Sequence, residues 1–140
     1  MKFTFVETWE EWKSKLPQPP QKGIPGAPEG WFHSHYIGPT SDEVMNALPK
    51  PLHAADFIAQ QHDLEYQELG LNGISGTFSP ESKEADHRLI ERCSRLISDY
   101  ENGIRTYEGF AITDESYLAA QYMREYFIVE ESLSSFIHVK

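Results

Sequence analysis

Apolar residues recur at helical spacing in several stretches of the chain, separated by segments rich in Gly and Pro. From Ala54 to Leu69, the residues Ala55, Ile58, Ala59, His62, Tyr66 and Leu69 share one face, which predicts an amphipathic helix. Gly70, Asn72, Gly73 and Gly76 close it and predict a turn. Ser79 before Pro80 is a helix-start signal, and Asp86, Leu89, Ile90, Cys93, Leu96, Ile97 and Tyr100 then form an apolar stripe out to Gly103. Thr113, Asp114 and Glu115 predict the start of a last helix through Tyr117, Ala120, Gln121, Met123 and Phe127. Nearer the amino terminus, Thr8 and Glu11 have capping-box spacing, with Trp9, Trp12 and Leu16 on one side of a short helix that Pro17, Pro19 and Pro20 end. The stretch from Pro17 to Gly30 reads as an extended connector, Tyr36 to Pro51 as a loop, and Gly103 to Ile112 as a short hairpin or an irregular loop. The expected fold is therefore mainly α, with residues 1–30 as helix and connector and the compact domain over 31–140.

Length and composition narrow this picture. A chain of 140 residues fits one domain, and 39% hydrophobic residues are enough to build its core. Twelve basic against twenty-two acidic residues leave a net charge of −10, which opposes binding to nucleic acid and to anionic membrane surfaces. Cys93 is the only cysteine, so no intramolecular disulfide can form. Glu7, Glu10 and Glu11 stand where a signal peptide needs an unbroken apolar stretch, and no segment approaches the ~20 apolar residues of a membrane span. The expectation is a protein made in a reducing compartment and kept or packaged there.

The chemistry lies on the two central helices. Asp86 heads the apolar stripe, while Glu84, His87, Arg88, Glu91, Arg92 and Arg95 take the other sides. A buried carboxylate needs a partner, because an unpaired buried charge costs several kcal/mol. His62, on the apolar face of the preceding helix, offers one if the two helices pack antiparallel. Such a pair is either a working base with its orienting carboxylate or a buried structural pair, and periodicity leaves both open. Asp63 points about a quarter-turn away from His62, free to face a metal or substrate, and Tyr66 lies one turn on, within reach of a carboxylate that pairs with His62. His33, His35, His53, His87 and His138 have no metal-site spacing.

The segment "DFIAQQHDLEY", from Asp56 to Tyr66, resembles the D-x-x-A-x-x-H-D-x-x-Y helix of the phospholipase A2 domain in the unique region of parvovirus minor capsid proteins. "YIGP", from Tyr36 to Pro39, is similar to that family's calcium loop, and "EADHRLIERC" to the Ala-Asp that opens its second helix. "QYMREYFIVE" loosely echoes its last helix, so the resemblance spans Trp31 to Val129. It implies a phospholipase A2-like fold and calcium-dependent hydrolysis of the sn-2 acyl ester of membrane phospholipids. It implies His62 as general base, Asp86 as its orienting carboxylate and Tyr66 as a support for Asp86. It further implies calcium ligands from the carbonyls of Tyr36, Gly38 and Thr40 and from Asp63, and an oxyanion donor in the N–H of Gly38. The biological setting it implies is a virion-associated lipase, part of a larger viral capsid protein, that breaches a host membrane during endosomal escape. Secreted phospholipases A2 are strongly disulfide-bonded whereas the parvoviral form does without, as this chain must.

Two departures qualify the resemblance. Thr40 stands where many members have Gly, and a β-branched residue resists a positive φ if the turn needs one. Residues 72–82 are built differently from the family. Trp31 and Phe32, just before the loop, are expected either to contact the membrane or to pack in the core. Two further readings stand beside this one. The first is a metal-dependent phosphohydrolase using His35 or His53 with His62, Asp63 and Asp114, which leaves Tyr66 and Asp86 without roles. The second is a phospholipase-like module that has lost turnover and serves in binding or capsid tethering.

Overall fold

The computed structural model describes residues 28–71 and 80–138, with side chains to residue 132. The helix expected over Thr8–Leu16, most of the connector after it and the turn at Asn72–Gly76 lie outside the described residues. What is described is mainly helical. In chain order it comprises α1 (Asp42–Ala47), α2 (Ala54–Glu68), a 3-10 turn (Pro80–Ser82), α3 (Lys83–Glu101), a hairpin of β1 (Thr106–Tyr107) and β2 (Phe110–Ala111), and α4 (Asp114–His138). Among the described residues, no helix is long and apolar enough to cross a membrane.

Helix α4 starts where its sequence signal stands, and α3 starts three residues after Pro80. Thr113 Oγ1 accepts the Ser116 N–H at 3.0 Å and caps α4, which continues beyond Phe127 to His138. Helix α3 is preceded by a 3-10 turn, and Ser82 at its start makes no cap because its hydroxyl is turned toward Asp86. Leu69, expected on the buried face of α2, is instead the exposed residue that ends it. The loop expected over 36–51 contains α1, whose signal was present: the Ser41 hydroxyl accepts the Val44 N–H at 3.2 Å, and Asp42 and Glu43 occupy the first turn, favourable to the helix dipole. Of the two possibilities for 103–112, the hairpin forms. Its turn residues Glu108 and Gly109 both have positive φ (50° and 82°), the twist that matches a tight hairpin.

Helices α2, α3 and α4 pack on one another around a core of Ile58 and Ala59 from α2, Leu89, Cys93 and Leu96 from α3, and Ala119, Ala120 and Met123 from α4. Burial of each large aliphatic side chain contributes about 1.5–3 kcal/mol. Glu65, late in α2, pairs with Arg88 and Arg92 early in α3, while Phe57, early in α2, stacks on Phe110 beyond the end of α3 at 4.8 Å. The two helices therefore run antiparallel. Ser116 beside His53 and Phe127 beside His62 set α4 parallel to α2.

The segment before α1 is held to α2 by one side chain. Asp56, fully buried, accepts the backbone N–H groups of His35 (3.1 Å to each oxygen), Tyr36 (2.9 Å) and Leu52 (2.9 Å). A carboxylate with several peptide donors is well stabilised without a cation. The same segment closes on itself through Trp31 N–H to Ile37 O at 3.0 Å and Gly30 N–H to Ser34 O at 2.7 Å. Asp56→Ala strands these buried N–H groups, so we expect a loss of about 3–5 kcal/mol in urea unfolding, a large part of a typical domain's stability. A loss below about 1 kcal/mol would show that Asp56 does not carry the loop.

Candidate active site

Antiparallel packing of α2 on α3 brings His62 and Asp86 together. His62 Nε2 lies 2.7 Å from Asp86 Oδ1, with the histidine 5% and the aspartate 1% exposed. Asp86 is acceptor-only when ionised, so this bond places the ring proton on Nε2 and leaves the lone pair of Nδ1 unused by Asp86. The Tyr66 hydroxyl donates to the same Oδ1 at 2.5 Å, and the Ser82 hydroxyl to Oδ2 at 3.1 Å. Burial first, and its bond to Asp86 second, raise the proton affinity of Tyr66, so the phenol stays a donor. Two rings pack against the imidazole, Tyr66 at 4.2 Å and Phe127 at 4.6 Å between centroids. The pair is thus fixed in orientation.

The neighbouring Asp63 faces a different set of partners. Thr40 Oγ1 lies 2.7 Å from Asp63 Oδ2, 3.2 Å from the Tyr36 carbonyl and 3.4 Å from the Gly38 carbonyl. A hydroxyl has one proton, so it satisfies one of these three acceptors at a time. Burial pushes the Asp63 carboxyl up to about 7, partly offset by the Thr40 bond and reinforced by the charge of Asp56. Two backbone carbonyls and a carboxylate converging with one proton among them form an all-oxygen cluster short of positive charge, the donor set that suits a hard cation such as calcium. The residues present fit that ion. The hydroxyl of Thr40 joins this cluster, and among the described residues it is the one hydrogen-bond donor to Asp63.

The backbone also answers the question of Thr40. The positive φ in this turn falls on Gly38 (88°), and Thr40 is not among the residues with positive φ. A Cβ on Gly38 would meet the Trp31 indole at 2.7 Å, so close ring-to-backbone packing as well as the dihedral requires glycine here. Trp31 also meets Tyr122 edge-on at 5.9 Å, and Phe32 lies 5.8 Å from the same ring. Both aromatics are partly buried against the core. Their visible work is to brace the loop.

The remaining histidine and acid candidates are dispersed. His53 donates from Nε2 to the Phe32 carbonyl at 2.9 Å and accepts the Ser116 hydroxyl on Nδ1 at 2.6 Å, so both ring nitrogens serve the start of α2. Asp114 accepts the Tyr100 hydroxyl at the start of α4. Neither meets His62 or Asp63. Cys93 is buried in the core, where burial raises its thiol far above the reactive range.

Two residues of this region carried no assignment from sequence. Ser82 supports Asp86 from the turn before α3, which only the backbone path reveals. Glu130 is 3% exposed, and burial together with Asp86 pushes its carboxyl up to about 8. Its signal was legible, because Met123, Phe127 and Glu130 follow one another at helical spacing on the face that α4 buries.

Comparison of the chain with protein-family models, with curated proteins and with solved structures found no match. The geometry of the site therefore has to carry the functional argument. It makes a direct prediction about Tyr66. Tyr66→Phe keeps the ring against His62 but removes a hydrogen bond to a buried carboxylate, for which we expect a loss of about 1.5–3 kcal/mol in denaturant unfolding at neutral pH. An unchanged midpoint would mean that the phenol does not hold Asp86.

Proposed function

We propose that this chain is a calcium-dependent phospholipase A2, of phospholipase A2-like fold, that hydrolyses the sn-2 acyl ester of membrane phospholipids. One observation carries the reading. Two consecutive residues of α2 face two different partners, His62 an orienting carboxylate and Asp63 an oxygen cluster built by the loop at Tyr36–Thr40. That pairing of a held base with a cation-ready loop is what this hydrolysis requires, and the motif resemblance from Asp56 to Tyr66 points the same way. Antiparallel helices carrying the histidine and the aspartate support the fold assignment.

In this mechanism Nδ1 of His62 takes a proton from a water molecule as the water oxygen attacks the ester carbonyl. Asp86 stabilises the imidazolium that forms, and Tyr66 and Ser82 keep Asp86 in line. The N–H of Gly38 stabilises the developing oxyanion, a contribution typically worth about 3–4 kcal/mol. His62 then returns its proton to the departing alkoxide, giving a free fatty acid and a lysophospholipid. The carbonyls of Tyr36 and Gly38 with Asp63 and the Thr40 hydroxyl would hold calcium, which when bound supplies positive charge for substrate phosphate and oxyanion. A virion-associated lipase used in host membrane penetration, within a larger capsid protein, is the setting we propose from the resemblance.

A second reading has one observation in its favour. The Thr40 hydroxyl supplies a proton to the oxygen cluster without any cation, which suits a phospholipase-like module that binds but does not turn over. Fatty-acid release from zwitterionic vesicles separates the two, since the net charge of −10 disfavours an anionic surface. His62→Gln should reduce release by about 10²–10⁴-fold in a folded protein. Activity within a few-fold of wild type would remove His62 from the mechanism.

Calcium binding is a separate prediction. Calorimetry should give half-saturation at about millimolar calcium, the weak end of the protein range, because Asp63 is the one charged ligand of the proposed set. Asp63→Asn should abolish binding, and EGTA should stop hydrolysis. Sub-micromolar affinity, or a transition metal held through His62, would contradict the assignment.

A further inference from the structure

Asp86 and Glu130 are two buried carboxyls, 1% and 3% exposed, and Phe127, one turn before Glu130 on α4, lies 4.6 Å from the His62 ring that Asp86 holds. Neither oxygen of Glu130 has a hydrogen-bond partner at ordinary geometry among the described residues, yet after burial Asp86 is the strongest influence on its proton. Two anions so placed are not both tolerated in a low-dielectric interior, so one carboxyl holds a proton. The bonds decide which. Asp86 accepts from His62, Tyr66 and Ser82, all of which favour its anion, whereas Glu130 accepts from none of them. Oδ1 of Asp86 already takes two donors and Oδ2 one, which leaves acceptor capacity on Oδ2.

We propose that Glu130 is a positioning residue of this site, a neutral carboxylic acid that donates its proton to Asp86 and so holds Asp86 against His62. This rests on the reading of His62 and Asp86 as base and orienting carboxylate. With Glu130 neutral, the pocket carries one negative charge, which an imidazolium at His62 balances. When Glu130 ionises, its oxygens become acceptors that compete for the hydroxyls of Tyr66 and Ser82, and the two carboxylates repel. Asp86 then loses its hold on His62. The groups facing Glu130 are Asp86 from α3 and Tyr66 from α2, with His62 behind Asp86 and Ser82 in the preceding turn. On its own helix stands Glu131, paired with His87 at 3.1 Å. Burial, Asp86 and Glu131 all push the Glu130 carboxyl the same way, up to about 8. The hold of Glu130 on Asp86 is accordingly present below that pH and lost above it.

The test is a carboxyl-carbon NMR titration of the full chain labelled in its glutamates, read beside the pH profile of hydrolysis. We expect one glutamate to titrate near pH 8 and to disappear in Glu130→Gln. In Asp86→Asn its midpoint should fall by about one unit, with burial sustaining the rest. The alkaline fall in kcat should vanish in Glu130→Gln, which keeps an N–H donor but cannot ionise. Glu130→Leu, which lacks the donor, should lower kcat several-fold at every pH with little change in KM. If the leucine variant does not fold, the isosteric glutamine variant still decides. A Glu130 midpoint in the ordinary range of about 4–5, or an alkaline fall that persists in Glu130→Gln, overturns the proposal. If the wild type releases no fatty acid at any pH, the phospholipase reading fails. The titration then decides the proton-sharing pair by itself: a raised, Asp86-dependent midpoint upholds it and an ordinary one ends it.

Discussion

Burying the Asp86 carboxylate at the junction of α2, α3 and the turn before α3 is the constraint around which the rest of the structure is arranged. No basic side chain makes a hydrogen bond or ion pair to it among the described residues, apart from the imidazole of His62. Its charge is instead spread over that ring nitrogen, a phenol and a serine hydroxyl drawn from two further segments. Each donor must arrive in register, so packing of α2 on α3 is fixed to within the tolerance of a hydrogen bond. A translation of one helix by a residue would leave a buried anion without donors, an outcome costing several kcal/mol.

A second pair of acids organises the loop along α2. Asp56 and Asp63 stand two helical turns apart and so lie near one face. Asp56 gathers the N–H groups at the start of the loop, and Asp63 meets its carbonyls through the Thr40 hydroxyl. Identical side chains thus do opposite work because of what faces them. Where donors converge, the carboxylate is satisfied. Where acceptors converge, burial raises its proton affinity. Gly38 and Trp31 make this possible, one by its left-handed backbone and the other by lying flat against it.

The carboxyls of this molecule therefore form a graded series. Asp56 is met by peptide donors, Asp86 by side-chain donors, Asp63 by a single hydroxyl, and Glu130 by another carboxyl. Burial raises the proton affinity of Asp63 and Glu130. The chemistry we propose sets Asp86 beside a base, Asp63 toward a cation, and Glu130, holding its proton, against Asp86.

Periodicity alone determined the helices α2, α3 and α4, because each buries one face and repeats its apolar residues at 3.6-residue spacing. It also put His62 and Asp86 on buried faces, where two polar residues among apolar ones demand each other. It left 103–112 open, since a two-residue strand pair has too little pattern to read, and it passed over α1, whose cap at Ser41 stands before a helix with no buried residue. What periodicity could not decide was convergence between segments distant along the chain. Ser82 reaches Asp86 only because a 3-10 turn precedes α3, and Thr40 reaches Asp63 across twenty-three positions with its hydroxyl. His53 became a brace for α2 and α4 once both its nitrogens found partners from other elements. Glu130 had its place on a buried face written in the spacing of α4, but a face says only that a side chain is inside. That the group it meets there is another carboxyl, and so that it keeps its proton, is decided by tertiary packing, because proton affinity depends on neighbours that no local pattern specifies.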